Sequence, residues 1–169
     1  MQPNILFLLI DGLREDTIFS KTKSAKTPNI DSLITKGTYF RKAISSSDYT
    51  STCLQSIFNS RFPIGCSKQS ANFYKIYDSQ INLLSVLKNN GYHLYGTLDE
   101  SLCLLGMNEP MENSDVAFQK LESNIYTDLG PKILKIIKNV QEPWFYYVHF
   151  MDLHRPFHVP KELLHLPLN

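Results

Sequence analysis

Runs of apolar residues alternate along the chain with segments whose apolar positions repeat at helical spacing. Residues 4–10 (NILFLLI) are apolar almost throughout and end at Asp11-Gly12, a pattern typical of a strand buried on both faces. Three later segments also predict strands: residues 38–44 (TYFRKAI), 92–98 (YHLYGTL) and 143–150 (PWFYYVHF). The pattern therefore predicts four strands.

Helices are predicted between these strands. Residues 27–37 predict a short helix with Thr27 as N-cap, Pro28 at the first helical position and Gly37 as the stop. A second helix is predicted within residues 45–63, a third from Ser79 to Gly91, and a fourth over residues 125–140. Residues 99–122 are less regular and predict a loop or insertion. The alternation indicates an α/β fold with a largely parallel sheet, formed as a single domain over residues 1–169.

Composition narrows the class of protein. The hydrophobic fraction of 43% and the charged fraction of 20% are typical of a soluble globular domain. A formal net charge of +1 gives no electrostatic footprint for nucleic acid or for an anionic membrane. The longest apolar run is too short to span a bilayer, and the first residues lack the basic region of a secretory signal. The three cysteines form no CxxC pair, so we expect a reduced, cytoplasmic domain without a disulfide framework.

Polar residues that follow the predicted strands are the candidates for a site, because chemistry in parallel sheets collects at the carboxyl ends of the strands. Asp11 follows the first strand and could hold a divalent cation. The hydroxyl-rich segment before the second helix, which includes Thr50, would face the unpaired N–H groups of that helix. Asp152 and His154 follow the last strand, with His158 close behind.

Each candidate also has a purely structural interpretation. Asp11 could stabilise a turn, and the histidines could form local hydrogen bonds in a loop. Asp48, Thr50 or Ser51 could simply cap the second helix, a contribution of about 1 kcal/mol. Taken alone, the first two features favour the structural interpretation, but all three features are predicted at the same rim of one sheet.

The order and spacing of these segments resemble the sulfatase and alkaline-phosphatase superfamily. The opening PNILFLLIDGLRED is similar to that family's first strand and metal-binding Asp, and TPNIDSLITKGTYFRKAIS to its signature helix and second strand. NLLSVLKNNGYHLYG and PWFYYVHFMDLHRPFHVP are similar to its next helix and strand and to a strand that leads into a His-x-Pro loop. The resemblance implies an alkaline-phosphatase-like three-layer sandwich, of which this sequence would be the N-terminal portion.

The resemblance also implies roles for individual residues. In the family the reactive residue lies thirteen positions before the Pro that ends a helix motif, and counting back from Pro63 reaches Thr50. Thr50 would then be the nucleophile and, with Asp11, a ligand of a divalent metal (Ca, Mn, Mg or Zn). His154 would take part in catalysis, and both His154 and Asp152 would bind substrate.

The sequence departs from the sulfatase branch at several of these positions. Arylsulfatases carry at the nucleophile position a Cys or Ser that is oxidised to formylglycine, and Thr50 cannot undergo that conversion. Cys53 is an alternative nucleophile, but it lies one helical turn too far along. The position of the family's Arg holds Leu54, and residues 98–101 (LDES) lack the Lys and His of its Gly-Lys-x-His element. These departures favour phosphoryl chemistry with a direct Thr nucleophile.

Two functions from different classes follow from this resemblance. The first is a metal-dependent hydrolase or transferase acting on phosphoric or sulfuric esters of a small molecule, glycan or lipid, with Thr50 as nucleophile. The alternative is a catalytically inactive or fragmentary domain with a binding role. It arises because the family's further metal ligands lie downstream of the His-x-Pro loop, whereas this sequence ends at Asn169.

Overall fold

Three parallel strands form the central sheet of the computed structural model, which describes residues 2–19, 23–62, 76, 81–113 and 125–154. They are β1 (Ile5–Ile10), β2 (His93–Thr97) and β3 (Trp144–Phe150), in the order β1-β3-β2. Ile5 pairs with Phe145 on one side of β3, and His93 pairs with Trp144 on the other. Because all three strands are parallel, their carboxyl ends meet at one edge of the sheet, where Asp11 follows β1.

Helices cover both faces of this sheet, because the side chains of the central strand β3 alternate between two apolar clusters. The first cluster joins Phe145 and Tyr147 to α3 (Thr50–Asn59), α4 (Leu83–Asn89) and a 3₁₀ helix (Glu100–Leu105). The second cluster joins Tyr146, Val148 and Phe150 to α5 (Gly130–Ile137). The structure therefore has three layers, and the predicted α/β class with a parallel sheet is confirmed.

Two further helices lie between β1 and α3. α1 (Glu15–Ile18) is short, and α2 (Pro28–Lys36) has the predicted limits, with Thr27 as N-cap and Gly37 as C-cap. The Thr27 hydroxyl does not cap the backbone but lies 3.1 Å from the Asp31 carboxylate, to which Lys23 also donates at 2.6 Å. The Lys23 ammonium lowers the pKa of Asp31.

The strand predicted over residues 38–44 is wrong. Residues 41–42 form a turn and the others have no regular structure, with the side chains of Phe40 and Ile44 exposed by 75% and 94%. A strand needs a neighbour for its N–H and C=O groups, and no described segment pairs with this one. The local composition of β-branched and aromatic residues was therefore not sufficient to make a strand.

The predicted start of α4 was also wrong. The helix begins after Asn82, whose side-chain oxygen accepts a hydrogen bond from the Ser85 N–H at 2.9 Å. The Ser85 hydroxyl in return accepts from the Asn82 N–H at 3.0 Å, which completes a capping box. Ser79, the predicted cap, lies outside the described residues.

The last predicted helix is divided. Its first turn, Ile125–Leu129, is a π-helix, and α5 follows directly from Gly130. Within the predicted loop region, the 3₁₀ helix buries Leu102 and Leu105 in the first cluster, so this part of the region is ordered by core packing.

Residues 112–113 close the outer edge of β2. The Glu112 N–H donates to the Leu94 carbonyl at 2.7 Å. The Asn113 side-chain oxygen accepts from the Gly96 N–H at 3.0 Å, and its amide nitrogen donates to the Gly96 carbonyl at 2.7 Å. This short segment therefore takes backbone hydrogen bonds of β2 that a neighbouring strand would otherwise use.

Candidate active site

Asp11 and Thr50 meet at the carboxyl edge of the sheet. Asp11 continues the line of β1, its N–H donating to the Phe150 carbonyl at 2.9 Å. Thr50 is the first residue of α3, and its hydroxyl donates to Asp11 Oδ2 at 3.1 Å. The N-cap of α3 is Tyr49, without a side-chain capping bond, so the interpretation of Asp48, Thr50 or Ser51 as a capping residue is wrong. The Thr50 hydroxyl instead joins α3 to the end of β1.

A cavity of about 280 Å³ opens at this contact. Its polar lining comes from the ends of β1 and β3, the start of α3 and the 3₁₀ helix: Asp11, Thr50, Ser51, Ser101, His149 and His154. Three of the four residues predicted from the sequence as site residues, Asp11, Thr50 and His154, therefore line one cavity.

His149 is a residue of this site that the sequence interpretation missed. It lies on β3 and is 1% exposed, with Nε2 3.6 Å from Asp11 Oδ2. Its other ring nitrogen, Nδ1, is 2.7 Å from the Tyr147 hydroxyl. The available signal was a single histidine near the end of an otherwise apolar and aromatic strand, one residue before the rim.

Burial sets the protonation states of His149 and Tyr147. It lowers the pKa of His149, against the opposing effect of the nearby Asp11 carboxylate, so the imidazole is held in its neutral form. Burial, with the charge of Asp11, raises the pKa of Tyr147, so the phenol keeps its proton. The arrangement that satisfies all three groups has Tyr147 donating to Nδ1 and the hydrogen of Nε2 facing Asp11.

Asp152 does not line the cavity. Its carboxylate oxygen Oδ1 accepts a hydrogen bond from the Ile125 N–H at 2.8 Å, which ties the segment after β3 to the start of the π-helical turn. His154, two residues on, donates its backbone N–H to the Met151 carbonyl at 2.9 Å and lines the cavity. Asp152 therefore anchors the segment that carries His154. His158 and Arg155 lie outside the described residues.

Gly12 allows the segment after β3 to approach the end of β1. Its φ of +75° belongs to the left-handed region, and a Cβ at this position would lie 2.8 Å from the Leu153 carbonyl oxygen. Both the conformation and the close approach require glycine.

The departures from the sulfatase branch have structural counterparts. Cys53 donates to the Ser47 carbonyl at 3.0 Å and is not among the residues that line the cavity. Leu54, at the position of the family's Arg, is fully buried in the first cluster. Asp99, within the LDES segment, accepts from the Ser101 N–H at 2.9 Å and begins the 3₁₀ helix. Pro63, from which Thr50 was counted, lies outside the described residues.

Asp11 and Thr50 present two neighbouring oxygen atoms that could hold a divalent metal. Two oxygen ligands of one Mg²⁺, each bound at about 2.1 Å and at right angles, lie about 3 Å apart. The Asp11 and Thr50 oxygens are 3.1 Å apart, and both are ligands that hard cations prefer. Within the described residues, no three His, Cys, Asp or Glu side chains cluster closely enough to hold a metal. This pair therefore fits part of a coordination shell whose other positions would fall to further oxygens, such as water or substrate.

Comparisons with known proteins place the chain in a family. The sulfatase family model matches residues 3–165, nearly the whole chain, whereas no curated protein matches it. No helix in the described ranges is long and apolar enough to cross a membrane. The family acts on sulfate esters and is generally dependent on a divalent metal. From its sequence match and its three-layer fold, the chain belongs to the sulfatase family and is, at family level, a sulfatase-like hydrolase.

Proposed function

We propose that this chain cleaves phosphoric or sulfuric esters with Thr50 as the nucleophile and Asp11 as a metal ligand. The observation that carries the proposal is the 3.1 Å contact between the Thr50 hydroxyl and Asp11 Oδ2 at a cavity that His154 also lines. A hydroxyl whose hydrogen is held by a carboxylate has its lone pairs available for attack.

The residues of the cavity suggest the course of the reaction. The Thr50 oxygen attacks phosphorus or sulfur in line, and the new bond replaces the ester bond to the alcohol. The Asp11 carboxylate is the acceptor of the hydroxyl proton, and His154 holds a non-bridging oxygen or the leaving oxygen. The departing alcohol takes its proton from His154 or from water. Water or an acceptor alcohol then takes the group from Thr50.

Two features of the chain assist this step. Thr50 opens α3, whose first N–H groups have no acceptor within the helix, so they face the side on which negative charge develops. Asp11 and Thr50 would hold the divalent metal. Such an ion, when bound, lowers the pKa of a coordinated hydroxyl and neutralises charge on the ester. Since Thr50 cannot become formylglycine, we place phosphate esters ahead of sulfate esters.

An ester assay tests the proposal. 4-Nitrophenyl phosphate and 4-nitrophenyl sulfate are offered to the full chain with Mg²⁺, Mn²⁺, Zn²⁺ or Ca²⁺. Thr50→Ala is expected to lower kcat by a factor on the order of 10³ or more, whereas Thr50→Ser keeps a hydroxyl and should retain most activity.

Thr52→Ala is the matched control, because it removes a hydroxyl from the same helical turn but from a residue that does not line the cavity. Full activity of Thr50→Ala would refute the nucleophile. Absence of turnover by the wild-type chain with every metal would contradict catalysis and favour the inactive, ligand-binding alternative.

A further inference from the structure

One wall of the cavity is apolar and comes mainly from a single element. The 3₁₀ helix Glu100–Leu105 contributes Leu102, Leu104 and Leu105, and Met151, after β3, also lines the cavity. The reactive Asp11–Thr50 pair belongs instead to the ends of β1 and α3. The cavity therefore combines a polar reactive region with an apolar wall.

The three leucines of this wall have different environments. Leu102 and Leu105 are buried and belong to the first apolar cluster, so they fix the 3₁₀ helix against the core. Leu104 is 62% exposed although it lines the cavity. A single exposed leucine is ordinary on a protein surface, but at a cavity it offers apolar area that a ligand can cover.

We infer that this wall binds the alcohol part of the ester and selects a compact apolar alcohol, such as a phenol or a short alkyl alcohol. The inference deepens the proposed function and rests on it in one respect, the binding of the phosphate or sulfate group at Asp11 and Thr50. A polyhydroxylated alcohol would place hydroxyl groups against leucine side chains, where they lose hydrogen bonds to water without replacement. The volume of about 280 Å³ lies near the lower end of small-molecule sites, which suits one ring and the anion.

Binding of phosphonates, which carry no ester bond to cleave, tests the wall without turnover. Phenylphosphonate and methylphosphonate share the anion and differ in the apolar group. Titration calorimetry on the metal-loaded full chain is expected to show phenylphosphonate binding at least about fivefold more tightly. Leu104→Ser should remove most of that preference and leave the affinity for methylphosphonate unchanged.

Leu134→Ser is the matched control. Leu134 is 61% exposed, almost the same as Leu104, but lies on α5 and does not line the cavity. This variant should keep the wild-type preference. Equal affinity for the two phosphonates, no binding of either, or an unchanged preference in Leu104→Ser would overturn the inference.

Turnover separates this inference from the proposed function. A phenyl preference that Leu104→Ser abolishes, in a chain that cleaves no ester, would uphold the wall and refute catalysis. Cleavage that depends on Thr50, with equal kcat/KM for phenyl phosphate and glycerol phosphate, would uphold catalysis and refute the wall.

Discussion

The Asp11 carboxylate is contacted from two sides by residues with different tasks. It accepts a hydrogen bond from the Thr50 hydroxyl at the start of α3, and it lies 3.6 Å from Nε2 of the buried His149 on β3. His149 is in turn held by the hydroxyl of Tyr147, which is fully buried. We therefore propose that Tyr147 acts on the candidate site through His149, as a positioning residue.

At this scale we predict that Tyr147→Phe lowers both stability and kcat. Removing the hydroxyl leaves a buried ring nitrogen of His149 without its partner, which should cost about 1–3 kcal/mol. A less fixed His149 leaves Asp11 less well oriented, so kcat for 4-nitrophenyl phosphate should fall roughly tenfold with little change in KM. Urea unfolding and steady-state kinetics measure the two effects.

Tyr92→Phe is the control for this prediction. It also removes a buried tyrosine's hydrogen bond, but the partner here is the Pro3 carbonyl at 3.0 Å, and Pro3, unlike His149, is not among the residues that line the cavity. It should lose stability and keep kcat. An undiminished kcat in Tyr147→Phe would show that the contact with His149 is only structural.

At the scale of elements, the site depends on how closely the segments after β1 and β3 approach. Gly12 meets the Leu153 carbonyl, and Asp152 ties the same segment to the π-helical turn before α5. His154 follows these two residues in the chain and lines the cavity. The segment that carries His154 is therefore held by the close approach at Gly12 and by the Asp152 side chain.

We predict that Gly12→Ala destabilises the protein by roughly 2–4 kcal/mol and lowers activity. The left-handed conformation alone costs about 1 kcal/mol with alanine, and the contact with the Leu153 carbonyl adds to it. Gly91→Ala separates the two contributions, because Gly91 has a similar φ of +83° but nothing within 4 Å of the added Cβ. Urea unfolding should show the smaller loss for Gly91→Ala, with activity retained. Equal losses in the two variants would refute the close approach.

Across the whole molecule, β3 joins the two apolar clusters because successive residues face opposite layers. If β3 leaves the sheet, both clusters lose the side chains that β3 contributes to them. We therefore propose that the layers unfold together, as one domain over residues 1–169.

Leu84→Ala tests this cooperativity. Leu84 is fully buried in the first cluster, so its truncation should cost about 2–5 kcal/mol. Trp144, the single tryptophan, packs against the second cluster. Its fluorescence and the far-ultraviolet circular dichroism should give the same lowered urea midpoint. Separate midpoints for the two signals would show that the layers unfold independently.

The sequence predicted best those elements whose residue pattern is typical of a single structure, namely buried strands and a helix with clear start and stop signals. The apolar segments of β1, β2 and β3 and the Pro28 and Gly37 signals of α2 predicted the elements correctly. Parallel strands then explained why residues at their carboxyl ends, such as Asp11 and His154, share a cavity.

Features that depend on tertiary neighbours could not be predicted in this way. Residues 38–44 have strand-like composition but no described partner, and Asn82 rather than Ser79 caps α4 because Ser85 completes its box. In the sequence, His149 is only one polar residue within an apolar strand. Its proximity to Asp11 results from the pairing of β1 with β3 and could not be predicted from the strand alone.

The two edges of the sheet differ in their capacity to accept another strand. The amide of Asn113 and the N–H of Glu112 occupy hydrogen-bonding groups along β2. Among the described residues, β1 pairs only with β3, and Leu6 and Leu8 on it remain 44% and 47% exposed. Within the part of the chain that the structure describes, growth of this sheet is therefore directional, because an added strand would meet no paired segment beside β1, whereas beside β2 it would first have to displace Asn113.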